Sequence, residues 1–275
     1  MMQETGLADL GADTAISGRE GRYTATLSES WEIWGPQGGY VAAIALRAAG
    51  AESAFPRPAS FVCHYLRRAT AGLAEIHVET IRRAKRAESL RVTVVQDDAP
   101  VLDGLVWTVE QLEGVDHDAT RIPLVPPAEH VEPLDMQRWG DMFPHSFWRN
   151  FDLRPVAPHP SEWNEAREPR GLVWARLRER PPLEDPFMDS ARMLTVVDAF
   201  MFPAATFAHD ELFPYIAPSL DLAMSFHARE AGSDWLLIDA YSPLSGGAVV
   251  GGQASIWSAD GRLLASAMQQ MLQRT

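Results

Sequence analysis

A few side chains in this sequence could move a proton or hold a water, and their neighbours narrow the choice. Asp221 lies between Leu220 and Leu222 in an apolar run, so its carboxylate is either partnered or at an edge. Gln269 and Gln270 are adjacent in another apolar run, and strand alternation turns only one of them inward. Ser242 precedes Pro243 in a turn, with Ser245 as a nearby second hydroxyl. Cys63 is the single cysteine, which excludes an intrachain disulfide and a cysteine-rich zinc site. Lys85 is the one lysine among 24 basic residues, so Schiff-base chemistry is disfavoured. The nucleophile elbow G-x-S-x-G, the zinc motifs H-E-x-x-H and C-x-x-C, and both glycine-rich phosphate loops are absent. Gly246-Gly247 and Gly251-Gly252 have the wrong spacing for phosphate and sit among strand-like residues. The eight histidines are scattered, and His227, at a strand end near Asp221, reads as structural.

The elements that must position such groups follow from periodicity. Residues 23–28 alternate as a strand. Pro36, Gly38 and Gly39 then break the chain, and residues 40–49 form a helix with Val41, Ala45, Ala48 and Ala49 on one small-residue face. Four strand-like runs follow at 59–66, 74–82, 89–97 and 101–111, the last two joined by a tight hairpin turn at Asp97-Asp98. Residues 113–145 carry Pro123, Pro126, Pro127, Pro133 and Pro144 and read as a Pro-rich linker. The pattern then repeats. Strands are expected at 147–156 and 171–178, a helix at 188–202 ended by Pro203, and strands at 219–227, 235–241, 248–257 and 263–273.

This is a duplication of element order rather than of residues. Each half is a small-faced helix wrapped by a long, curved antiparallel sheet, so the expected class is α+β, a double hotdog. The expected organisation is a flexible arm at 1–20, an N-terminal hotdog at 21–112, the linker at 113–145 and a C-terminal hotdog at 146–275.

Three segments resemble the acyl-CoA thioesterase II family, whose members are double hotdogs. Trp34-Gly35-Pro36-Gln37-Gly38-Gly39-Tyr40 is similar to the turn that opens the family's first central helix. Ser219 to His227, followed by Trp235-Leu236-Leu237, is similar to its Asp-containing strand and the strand after it. Ser242-Pro243, Gly246-Gly247 and Asp260-Gly261, with Gln269 following, match a third stretch. The resemblance implies a catalytic aspartate, serine and glutamine at Asp221, Ser242 and Gln269, and substrate contacts at Gly38, Gly39 and Tyr40. The family follows its glutamine with Glu-Gly, whereas this chain has Gln270-Met271.

The implied activity is hydrolysis of a fatty or related acyl-CoA to free acid and coenzyme A by a positioned water, with no cofactor and no metal. Two alternatives stay open: a non-catalytic acyl or acyl-CoA binding protein, and a hydratase on the same architecture, for which His209-Asp210 lacks the matching spacing. The net charge of −13 repels nucleic acid. An acyl-CoA would instead need a local basic patch, for which Arg67, Arg68, Arg82, Arg83, Lys85, Arg86 and Arg91 are candidates. Trp31, Trp34, Phe61, Phe200 and Phe202 are candidates for an acyl groove. No apolar run reaches membrane-spanning length, and residues 1–17 contain acids but no basic residue, so no secretory signal is expected and the expected location is cytoplasmic. Self-association into a homo-oligomer is compatible with the sequence.

Overall fold

The structure, a computed structural model, describes residues 7–211, 213–229 and 233–274. The first half contains α1 (Leu10–Asp13), β1 (Ser17–Arg19), β2 (Arg22–Leu27), α2 (Gly38–Glu52), β3 (Arg57–Tyr65), β4 (Gly72–Arg83), β5 (Ala87–Gln96) and β6 (Ala99–Val109). After α3 (Met136–Trp139) the second half contains β7 (Phe151–Ala157), β8 (Arg170–Leu177), α4 (Pro186–Thr206), β9 (Asp221–Phe226), β10 (Leu236–Tyr241), β11 (Ser245–Gly246), β12 (Val249–Ser258) and β13 (Leu263–Leu272).

Among the described residues the strands form one thirteen-stranded sheet, ordered β1-β2-β4-β5-β6-β3-β9-β13-β12-β10-β8-β7, with β11 paired to β12. Read outward from the middle, the halves mirror each other: β3-β6-β5-β4-β2 on one side, β9-β13-β12-β10-β8 on the other. The seam is the antiparallel pair β3–β9, where Ser60 faces Ser225 and His64 faces Asp221. This is the expected α+β double hotdog, with the halves related by a pseudo-two-fold axis through the seam.

The small face of α2 is what lets the two helices touch. Val41, Ala45, Ala48 and Ala49 are all buried, and the helix packs on α4 as well as on its own sheet. At the crossing, a Cβ on Gly39 would lie 2.2 Å from the Leu194 carbonyl oxygen, so only glycine permits this approach. The Asp97-Asp98 hairpin turn has φ of 50° and 58°, the left-handed pair of a type I′ turn that matches sheet twist.

Three sequence expectations change. Pro203 does not end α4, which continues to Thr206. The last turn persists because Ala204 and Ala205 are buried and Thr206 Oγ donates to the Pro203 carbonyl at 2.8 Å. The strand expected from residue 147 begins at Phe151. Residues 146–150 form a tight 3-10 turn instead, with Phe147 and Phe151 both edge-on to Trp31. Within 1–20, read as a flexible arm, residues 1–6 lie outside the described residues. Beyond them α1 is capped by Asp9, whose carboxylate accepts from the Gly11 amide at 2.8 Å, and β1 pairs with β2. The Pro-rich stretch also packs: Trp174 Nε1 donates to the Pro126 carbonyl, and Ala128 is buried with Trp235 and Trp257.

Candidate active site

A cleft of about 820 Å³ opens where the start of α2, the end of β3, the middle of α4 and the approach to β9 converge. Its floor holds Asp198, an acid in the otherwise uncharged α4 segment from Met193 to Thr206. Four donors from three other parts of the chain meet its carboxylate. On Oδ2, Gln37 Nε2 donates at 2.5 Å and the Gly39 amide at 2.9 Å. On Oδ1, Ser219 Oγ donates at 3.0 Å, and so does Gln269 Nε2. Gln269 Nε2 also lies 2.8 Å from Ser219 Oγ, which ties the second pair together.

Local structure explains each arrival. Gln37 is the N-cap of α2; its Oε1 accepts the Tyr40 amide at 2.8 Å, which leaves its Nε2 for Asp198. Gly39 is in the first turn, where amides have no helical acceptor. Ser219 precedes β9 and bridges to Met271 of β13. Gln269 faces inward with Ala267 and Met271, as period-2 alternation requires.

Burial holds the Asp198 carboxyl above the usual aspartate range, because desolvation outweighs the bonds from Gly39, Ser219 and Gln269 that favour the anion. Two polar groups beside it have no hydrogen-bond partner among the described residues. They are the buried Gln269 Oε1 and the Gly38 amide at the cleft wall. Tyr65 closes the other wall. A Cβ on Gly38 would sit 2.9 Å from Asp198 Oδ2 and 3.0 Å from Tyr65 Cζ.

Of the catalytic and substrate-contact residues expected from the resemblance, Gly38, Gly39 and Gln269 meet here, and Asp221, Ser242 and the Tyr40 side chain lie elsewhere. Asp221 starts β9 pointing to the face opposite Leu222 and Met224, which are buried, and its Oδ1 accepts the Gln270 amide at 2.7 Å. Gln269 and Asp221 therefore sit on opposite faces of the sheet. Ser242 is buried at the end of β10, where its Oγ donates to the Gly251 carbonyl at 2.7 Å. No hydrogen bond joins Asp221, Ser242 and Gln269 to one another among the described residues. The Tyr40 side chain turns away from the cleft, stacks on Trp31 at 5.5 Å and donates to the Asp13 carbonyl at 2.6 Å.

The arginine candidates separate in the same way. Arg67 and Arg68 line the cleft mouth without an ion pair among the described residues. Arg83 pairs with Glu88 at the far end of the sheet, and Arg91 pairs with Asp103. Trp34 and Phe202 line the cleft in edge contact at 5.9 Å, and Trp31 and Phe61 are core. Phe200 lines a small apolar cavity that shares Trp148, Pro203 and Phe213 with the cleft. Cys63 is buried and its thiol is pushed far up, so it is no nucleophile.

Sequence reasoning passed over Asp198, Ser219 and Gln37. The available signal was an acid, Asp198, in the otherwise uncharged stretch from Met193 to Thr206, a residue that must find partners or stay neutral.

Comparison with known proteins agrees with this architecture. Residues 27–109 match the acyl-CoA thioesterase N-terminal domain, and residues 127–273 match the acyl-CoA thioesterase C-terminal domain. Human acyl-coenzyme A thioesterase 8 is 27% identical over 120 residues, 43% of this chain and 38% of that protein's length. A hot dog fold protein of unknown function from Alicyclobacillus acidocaldarius has a TM-score of 0.85 at 20% identity, covering 97% of this chain and 98% of its own. The acyl-CoA thioesterase II TesB2 from Mycobacterium marinum has a TM-score of 0.78 at 22% identity, covering 97% and 98%. These structural likenesses are of fold. The two domain matches together take in both halves of the sheet, and the chain belongs to the acyl-CoA thioesterase family.

Proposed function

We propose that the chain hydrolyses an acyl-CoA thioester by general-base attack of water at Asp198. The observation that carries this reading is the convergence of Gln37, Gly39, Ser219 and Gln269 on one buried carboxylate at the floor of a cleft. Asp198, not Asp221, is the acid of this reading, with Gln269 retained and Ser219 in place of Ser242. In the reaction the carboxylate takes a proton as the water oxygen bonds to the thioester carbon. Gln269 Oε1 accepts the water's other hydrogen. The Gly38 amide faces the developing oxyanion. When the C–S bond breaks, the proton on Asp198 passes to the departing thiolate, which leaves the free acid and coenzyme A. A positioned base is worth about 10²–10⁴ in rate and one oxyanion donor about 10²–10³.

One observation favours a second reading, a non-catalytic acyl-CoA binding protein. Four protein donors already fill the roughly four acceptor sites of a carboxylate. In the hydrolytic reading Ser219 yields its bond by rotating its hydroxyl to the water. Thiol release separates the two. The hydrolase frees coenzyme A from a straight-chain acyl-CoA, and Asp198→Asn lowers kcat by about a hundredfold or more while the fold persists. Binding of acyl-CoA without thiol release would establish the second reading.

A further inference from the structure

The pseudo-two-fold axis that places the start of α2 at the cleft places the start of α4 at a second cavity, at the opposite end of the β3–β9 pair. It holds about 380 Å³ and is lined by Arg57, Pro58, Ser190, Phe226, Arg229 and Arg262, among others. It is not a second copy of the hydrolytic site. Where Gly39 faces Asp198 across the helix crossing, the symmetry-related contact is Phe187 against Gly50. The Phe187 ring lies 2.5 Å from where a Gly50 Cβ would be. No acid can stand there.

Among the described residues, the formally charged side chains that line it are all arginines. The Arg57 side chain makes no hydrogen bond or ion pair among the described residues, and its Nε is buried. Ser190 is only 4% exposed and lines the cavity. Arg229 is tethered by the Leu183 and Glu184 carbonyls, and Arg262 by Asp260. His227 bonds Ser266. No carboxylate lines the cavity among the described residues. A guanidinium whose Nε is buried without an acceptor is costly in a protein with a net charge of −13, which has acids to spare. An oxyanion meets this need, since guanidinium grips carboxylate or phosphate through two parallel bonds. Pro58, Pro186 and Phe226 add an apolar wall.

We propose that this cavity is a second, non-hydrolytic site that binds the oxyanion head of a small amphipathic molecule through Arg57 and Ser190, with its apolar body against Pro58, Pro186 and Phe226. The assignment is independent of whether the cleft hydrolyses thioesters.

Titration calorimetry on the full chain tests it with octanoate, inorganic phosphate and coenzyme A as probes. We expect at least one probe to bind with one-to-one stoichiometry and to lose about tenfold or more in affinity in Arg57→Gln. Gln111→Glu, which places a negative charge on an exposed lining residue, should weaken the same probe and guards against misfolding of the first variant. The same binding should survive Asp198→Asn, which reports on the cleft. Octanoate binding identifies a carboxylate ligand, and binding of phosphate or coenzyme A a phosphorylated one. No binding by any probe, or binding indifferent to both cavity variants, would overturn the proposal.

Discussion

At the scale of single residues, the chemistry turns on which aspartate is desolvated. Asp198 is enclosed by α4, α2 and β13, whereas Asp221 caps a strand amide on the sheet's other face. Exchanging each for asparagine should therefore separate them: Asp198→Asn loses turnover, and Asp221→Asn keeps kcat within about threefold. Parallel thiol-release assays decide this, and a larger loss in the Asp221 variant would return the role to that residue. The raised pKa of Asp198 gives a second readout with a definite sign. The base must be ionised, so kcat/KM should fall as pH drops through a value above the ordinary aspartate range. Its linkage to stability has the opposite sign. The fold binds this proton more tightly than the unfolded chain does, so the contribution is fullest at acid pH and is lost as pH rises through the folded value. The side chain was hard to find in the sequence because its neighbours, Val196, Val197, Ala199 and Phe200, read as ordinary helix core. Its partners become visible only when distant segments meet. Gln269 was legible because alternation turns only one of the two adjacent glutamines inward and the family resemblance points to this one.

At the scale of elements, the small-residue face of α2 and the turn before it do two separate jobs. Gly39 sets how closely α2 approaches α4, with its would-be Cβ 2.2 Å from a backbone oxygen that cannot move aside. Gly39→Ala should destabilise the chain by about 2 kcal/mol or more, read as a lower urea midpoint. Gly38 does not hold the crossing. Its would-be Cβ meets side chains, Asp198 and Tyr65, that line the cleft. Gly38→Ala should leave the urea midpoint nearly unchanged and cut kcat about tenfold or more by displacing the carboxylate. If the two variants behaved alike, the division of labour would be wrong. The element order was legible in the sequence because periods of 2 and 3.6 persist through both halves. The ends of elements were less so: tertiary burial carried α4 past Pro203, and aromatic packing around Trp31 replaced the first turn of the expected strand at 147.

At the scale of the whole molecule, the charge balance opposes the ligand that the family and the cleft suggest. A net charge of −13 repels the phosphates of coenzyme A at long range, so approach must depend on local cations. Arg67 and Arg68 are exposed at the cleft mouth, continue directly from Tyr65 at its wall, and have no ion pair among the described residues. In the proposed reaction they would act on the phosphates, away from Asp198. Neutralising both, as Arg67→Gln with Arg68→Gln, should raise KM for an acyl-CoA about tenfold at low salt and leave kcat unchanged, because binding is lost equally from ground and transition states. Added salt should raise KM for the unmodified protein and narrow the gap between the two, since exposed charges are screened over about 10 Å at 0.1 M. An N-acetylcysteamine thioester carries the same acyl group without phosphates, so its KM should be indifferent to both substitutions and to salt. Equal losses on the two substrates would mean that the arginines shape the cleft rather than attract an anion. Coenzyme A would then be recognised through its pantetheine arm along the walls between Trp34 and Ser219.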